Sequence, residues 1–271
     1  MGQKQSIATF KALGLLPQDG QTTKREHGQD LYPQLRKKVH LVGSCFLSGA
    51  IEMFAKAGCT KAELLEDAEL VVFLGGEDVD PALYGQKLVA GTYINPARDA
   101  READIFAKCI ELDKPMFGIC RGMQFLHVMN GGKLYQNVEK HVYTHNIVDM
   151  GGEIIRASSM HHQMCIENAT TFPLAYAEKK GHGEAYTTGP SIMDGNGVSV
   201  LETNDHLDLE AAVYPNIRAL AVQGHPEVGG YPEFTVWCLD QLVEWFENKF
   251  EMGANTKPLK DVPFLNNGVS S

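Results

Sequence analysis

The sequence predicts an α/β fold: a mostly parallel central sheet flanked by helices, with a β-rich insertion. Three observations carry that prediction. Short apolar runs at 39–43, 70–74 and 116–119 read as buried strands, and helical patterns separate them. Parallel strands need such crossovers, which run right-handed and place helices on both sheet faces. The segments 134–159 and 172–213 instead alternate short apolar runs with Gly, Asn, Asp and Thr, the pattern of antiparallel strands and loops.

Taken in order, Val39-His40-Leu41-Val42-Gly43 is a first buried strand closed by glycine. Residues 48–57 carry apolar side chains at 50, 51, 53, 54, 55 and 57 and stop at Gly58, which reads as a helix with a glycine C-cap. The segment between that helix and the strand at 70–74, polar and acidic at 62–68, is short and holds no convincing strand, so the sheet is expected to lack or shorten one there. Leu70-Val71-Val72-Phe73-Leu74 is the next strand, followed at once by Gly75-Gly76-Glu77-Asp78-Val79-Asp80-Pro81. Asp78 and Asp80 are expected to cap the turn after Pro81. A loop spans 82–96, and 98–112 is helical with one wide apolar face. The strand at 116–119 delivers Cys120, and the helix at 123–129 stops at Asn130-Gly131-Gly132. Near the end, Ala219-Leu220-Ala221-Val222 is a strand that runs into Gln223-Gly224-His225-Pro226-Glu227, and 233–250 is a long amphipathic helix. The expected organisation is an N-terminal extension at 1–36 containing a helix near 7–16, a main domain at 37–252 and a loose tail at 253–271.

Bulk properties narrow the function. A chain of 271 residues can bury a full core, and a net charge of −10 argues against nucleic acid or an anionic membrane as the main partner. The six cysteines are scattered with no CxxC, which reads as reduced thiols in a cytoplasmic protein. No apolar run approaches the roughly 18 residues of a membrane span. Met1-Gly2-Gln3-Lys4-Gln5-Ser6 fits a weak N-myristoylation pattern, read by default as a plain polar terminus.

The chemistry centres on Phe117-Gly118-Ile119-Cys120-Arg121-Gly122-Met123-Gln124. A cysteine between glycines, at the end of a strand and the start of a helix, has the form of a nucleophile elbow. The helix N-terminus favours a thiolate. On this stretch alone a reactive thiol and a buried inert one both stay open. A thiol nucleophile needs a base, and His225 leaves a strand at the same kind of exit. Glu227, two positions on, points the same way in extended chain and can orient the imidazole. Oxyanion donors are available from the backbone N–H of Arg121 and from that of Gly76. His161 and His162 side by side raise the question of a metal, but no carboxylate or cysteine pattern completes a site, so neither metal nor organic cofactor is expected.

Five blocks in order, GGEDVDPALYG at 75–85, RDAREADIF at 98–106, PMFGICRGMQFLHVMNGGKLYQNV at 115–138, SSMHHQ at 158–163 and AVQGHPE at 221–227, resemble class I glutamine amidotransferase domains. Within that superfamily the sequence is most similar to the γ-glutamyl hydrolase branch, which includes the γ-glutamyl-γ-aminobutyrate hydrolases. The resemblance implies a flavodoxin-like core, with Cys120 as nucleophile, His225 as base and acid, and Glu227 as its orienting carboxylate. It also implies that Gln124 holds the glutamyl group and that Ser159, His161 and His162 line the pocket. The implied reaction is hydrolysis of a γ-glutamyl amide through a thioester. Two alternatives accompany it: a glutaminase that feeds ammonia to a separate synthetase or amidoligase, and a degenerate binding or regulatory subunit. Gly224 stands where the hydrolase branch often has a bulky aromatic, which is expected to open the pocket wall.

Overall fold

The computed structural model describes residues 31–139, 141–179, 183, 185–193, 197–202 and 207–247; the expected helix near 7–16 and the tail after 253 lie outside the described residues. In chain order the fold begins with β1 (Lys38–Val42), α1 (Leu47–Lys56), β2 (Thr60–Lys61), β3 (Leu70–Phe73), α2 (Pro96–Glu111), β4 (Met116–Ile119) and α3 (Arg121–Met129). The β-rich region follows: β5 (Lys133–Tyr135), β6 (Asn137–Val138), β7 (His145–Asp149), β8 (Ile154–Ala157), β9 (Met164–Ile166), β10 (Phe172–Ala177), β11 (Ala185–Thr188), β12 (Ser199–Glu202) and β13 (Leu209–Tyr214). The last elements are β14 (Ala219–Val222) and α4 (Pro232–Glu247). The expected helix at 233–250 is thus found to residue 247, and 248–250 fall outside the described residues.

The central sheet has nine strands in the order β2-β1-β3-β4-β14-β13-β10-β7-β8. Pairings from β2 to β14 are parallel, and those from β14 to β8 are antiparallel. The β-rich region therefore does not stand apart, because four of its strands extend the main sheet. Its remaining strands form a three-stranded sheet β12-β11-β6 and the pair β5-β9. The strand the sequence predicts to be short is β2, two exposed residues at the sheet edge.

Alternation along the strands divides the core. Leu70, Val72, Phe117 and Ile119 pack against Met53 and Phe54 of α1 and Trp237, Leu239 and Leu242 of α4. Val71, Phe73 and Met116 face the other way, onto Phe106 of α2 and Met123 and Phe125 of α3. A strand covered on both faces must be apolar throughout, which is why β3 and β4 read as unbroken runs. Each such side chain is worth about 1.5–3 kcal/mol on burial.

Local signals set the helix ends. Asn95 caps α2 by accepting from the Arg98 N–H at 3.1 Å, and Pro96 occupies the first helical position. The helix therefore starts two residues before the apolar pattern does. The 82–96 loop opens with a 3-10 turn, Pro81–Tyr84, capped by Asp80, which accepts from the Ala82 N–H at 2.9 Å. Among the described residues no helix is long and apolar enough to cross a membrane.

Candidate active site

Three neighbouring strands, β3, β4 and β14, end on one edge of the sheet. Phe73 pairs with Gly118 and Ile119 with Val222, so the residues just beyond each strand meet in space. Cys120 leaves β4 with φ 54° and ψ −109°, a conformation outside the usual regions for a side-chain-bearing residue. Its N–H donates to the Val222 carbonyl at 2.8 Å, which anchors the turn to β14. The flanking glycines are required by contact. A Cβ on Gly122 would run into the Phe73 carbonyl, and one on Gly118 would lie 2.7 Å from Gly122 backbone atoms. Cys120 stands as the N-cap of α3, where the helix dipole favours negative charge.

His225 follows β14 and is buried. Its Nδ1–H donates to Glu227 Oε1 at 2.7 Å. Ser158 braces the backbone of His225 from both sides: the His225 N–H donates to Ser158 Oγ at 2.8 Å, and that hydroxyl donates back to the His225 carbonyl at 3.1 Å. Phe46 covers the imidazole edge-on at 5.1 Å between ring centres. Gly75, just past β3, lies against the same group; a Cβ there would be 2.8 Å from His225 Cε1 and 3.7 Å from Cys120 Cβ. Burial by itself would lower the basicity of His225. The charge and hydrogen bond of Cys120, and then Glu227, outweigh it and raise the imidazole to about 10. A protonated imidazole beside the sulfur is the arrangement that stabilises a thiolate.

A cavity of about 210 Å³ opens onto Cys120 and is walled by Gly76, Glu77, Asp78, Tyr93, Arg121, Gln124 and residues 160–163. Gln124, His161 and His162 therefore line the cavity beside Cys120. Ser159 does not: it is buried and donates to the His141 carbonyl at 2.7 Å, while Met160 lines the cavity. Asp78 is not a turn cap either. It accepts from the Tyr93 N–H at 2.8 Å and pairs with His162 Nε2 at 3.0 Å. Nor does Gly224 open the wall. The Phe234 ring of α4 fills the space, and a Cβ on Gly224 would be 2.8 Å from that ring and 2.7 Å from the Ser158 carbonyl.

The peptidase C26 family model matches residues 50–227 of the chain. The chain belongs to that family. A glutamine amidotransferase-like protein, YvdE of Lactococcus lactis, is 33% identical over 162 residues, covering 58% of this chain and 65% of that protein. The small chain of carbamoyl phosphate synthase from Escherichia coli is 24% identical over 141 residues, covering 52% of this chain and 31% of that one. The chain spans less than two thirds of the length of these relatives. A glutamine amidotransferase structure from Thermotoga maritima superposes with a TM-score of 0.47 at 14% identity, over 79% of this chain and 97% of that one. Membership of the C26 family, with glutamine amidotransferase-like relatives, places the chain in the class I glutamine amidotransferase-like superfamily.

Two buried polar groups of this C26 member escape sequence reasoning. The first lies beneath the pocket wall. Metal is set aside in the sequence because no carboxylate accompanies His161 and His162, yet the fold supplies one: ligand atoms of His141, His161 and Glu210 lie within 4.8 Å of one another. Hydrogen bonds already occupy this group. His161 Nδ1–H donates to the Gln163 carbonyl at 2.9 Å, which leaves Nε2 to accept from His141 Nδ1–H at 3.0 Å, in the tautomers this network assigns. His141 Nε2 faces Asp208 at 3.3 Å and Glu210 at 3.5 Å, and His145 Nε2–H donates to Glu210 at 2.8 Å. A cation would have to displace the bond between the two histidines. Burial, and then His141, hold His161 down to about 3, so it stays neutral. The Gln163 carbonyl also accepts from Gln124 Nε2 at 2.9 Å, and the Gln163 side chain clasps both backbone groups of Val79. The second group is the set Arg98, Asp99, Glu102 and Arg121, where buried arginines meet buried carboxylates. Its only signal in the sequence is that four charges cluster near a site.

Proposed function

We propose that the chain is a cysteine-dependent hydrolase of γ-glutamyl amides. The observation that carries the reading is the placement of Cys120, in a strained elbow at the end of β4, beside a His225–Glu227 pair at the end of the adjacent β14. Cys120 Sγ attacks the side-chain amide carbon of the substrate and forms a C–S bond. The N–H groups of Gly76 and Arg121 receive the carbonyl oxygen as it takes up negative charge. His225 gives its proton to the amide nitrogen, the C–N bond breaks, and the amine or ammonia leaves. Glu227 holds the imidazole in position and balances its charge. Water then attacks the thioester while His225 takes a proton, and glutamate leaves as the sulfur is restored.

Gln124 supports the glutamyl end of this reading. Its Nε2 donates to the Gln163 carbonyl and to Gln223 Oε1 at 3.3 Å, which leaves its amide oxygen as the group that can accept from a substrate ammonium. The exposed Tyr93 and Met160 at the cavity mouth leave room for a leaving group larger than ammonia. A second reading, a glutaminase that supplies a separate synthetase, draws on the likeness to the carbamoyl phosphate synthase small chain.

Hydrolysis of L-glutamine, γ-glutamyl-γ-aminobutyrate and γ-glutamyl peptides by wild type and Cys120→Ala separates these readings. A preference for γ-glutamyl amines, abolished in Cys120→Ala with the fold intact, is expected. Selective turnover of glutamine favours the ammonia-supplying reading, and full activity in folded Cys120→Ala overturns both.

A further inference from the structure

To receive the oxyanion, the N–H of Gly76 must be aimed at the cavity beside Cys120. The carbonyl of the same peptide unit, that of Gly75, accepts from Arg98 Nη2 at 2.8 Å, and the Leu74 carbonyl accepts from the same nitrogen at 3.1 Å. In a planar trans peptide the C=O and N–H point in opposite directions. Fixing the Gly75 oxygen on Arg98 therefore turns the Gly76 N–H away from Arg98, and Gly76 lines the cavity that holds Cys120. Glycine is needed at this position on two counts: Gly76 has φ +141°, and a Cβ there would collide with the Arg98 guanidinium.

Arg98 is itself held on two further sides. Its Nε donates to Glu102 Oε1 at 2.7 Å, one turn along α2, and its Nη1 donates to Glu77 Oε2 at 2.7 Å. The other oxygen of Glu102 accepts from Arg121 Nη1, and Asp99 accepts from Arg121 Nη2. One carboxylate thus spans the arginine that fixes the Gly75–Gly76 peptide and the residue whose own backbone N–H is the second donor. As the first helical residue of α3, Arg121 has no intrahelical acceptor for that N–H.

We infer that Arg98 is a positioning residue that presets the oxyanion-binding N–H of Gly76, and that Glu102 keeps it in register with the N–H of Arg121. This rests on the thioester reading proposed above. A lysine at 98 carries the charge but lacks the planar fork that holds two carbonyls and two carboxylates together.

The test uses γ-glutamyl-p-nitroanilide as substrate and iodoacetamide as a thiol probe that builds no oxyanion. In Arg98→Met, kcat is expected to fall about 100-fold, with KM and the alkylation rate of Cys120 each within about threefold of wild type. Arg98→Lys recovers little, and added guanidinium ion restores part of the kcat of Arg98→Met. An unchanged kcat overturns the inference. So does a parallel loss of kcat and alkylation rate, which marks collapse of the site. If Arg98→Met does not fold, Glu102→Gln decides: a folded variant with wild-type kcat overturns the inference, and a selective loss of kcat supports it. Failure of the underlying reading shows separately, as a wild-type protein that forms no thioester and turns over no γ-glutamyl amide.

Discussion

At the scale of single residues, the site depends on where side chains are missing as much as on where they are present. Gly118 and Gly122 let α3 lie directly on the ends of β3 and β4, which is what lifts Cys120 onto the sheet edge. Gly122→Ala pushes a methyl into the Phe73 carbonyl, which cannot swing aside as a side-chain tip could. Overpacking of this kind costs about 3 kcal/mol, and urea denaturation is expected to show at least that loss. Cys120 and its glycines were readable because an elbow is a local pattern. The serines were not. Ser158 braces His225, whereas Ser159 turns to His141, and neighbouring residues exchange roles according to which face of the chain meets β14.

Individual elements show where periodicity misleads. The apolar face of α2 was legible, yet the helix also buries Arg98, Asp99 and Glu102, which a hydrophobic pattern assigns to solvent. In α4 the important side chain is Phe234, which takes the space beside Gly224 that the sequence leaves vacant. Gly224→Ala is expected to destabilise by about 1–3 kcal/mol, because its methyl meets the ring and the Ser158 carbonyl together. Placed in a Phe234→Leu background the same change is expected to cost less, giving a coupling of about 1 kcal/mol in a double-mutant cycle. Equal costs in both backgrounds would remove Phe234 as the reason for the glycine.

In the whole molecule, the parallel half of the sheet presents Gly76, Cys120 and His225 on one edge, while the antiparallel half places the histidine–carboxylate group under the pocket wall. That group carries a pH signature. Burial acts to lower His145, but the Glu210 carboxylate outweighs it and raises the imidazole from 6.5 to about 9. Its stabilising contribution is therefore complete below about 6.5 and lost as pH rises through about 9. Burial acts to raise Glu210, and His145 with its neighbours lowers it from 4.5 to about 2, so that contribution is present above 4.5 and lost as pH falls through about 2. Urea stability measured across the alkaline window is expected to decline in wild type and to flatten in His145→Asn; identical slopes would count against the pair. By itself the sequence determined the strands at the sheet edge and the elbow, and it named Cys120, His225 and Glu227 as candidates, because apolar runs, glycines and short motifs are local. Only the tertiary structure decided that Arg98 holds the Gly75 carbonyl, that Glu210 meets His145, and that Phe234 closes the wall at Gly224. Periodicity says which side chains are buried, but the partner of a buried charge depends on which distant segments the sheet order brings together.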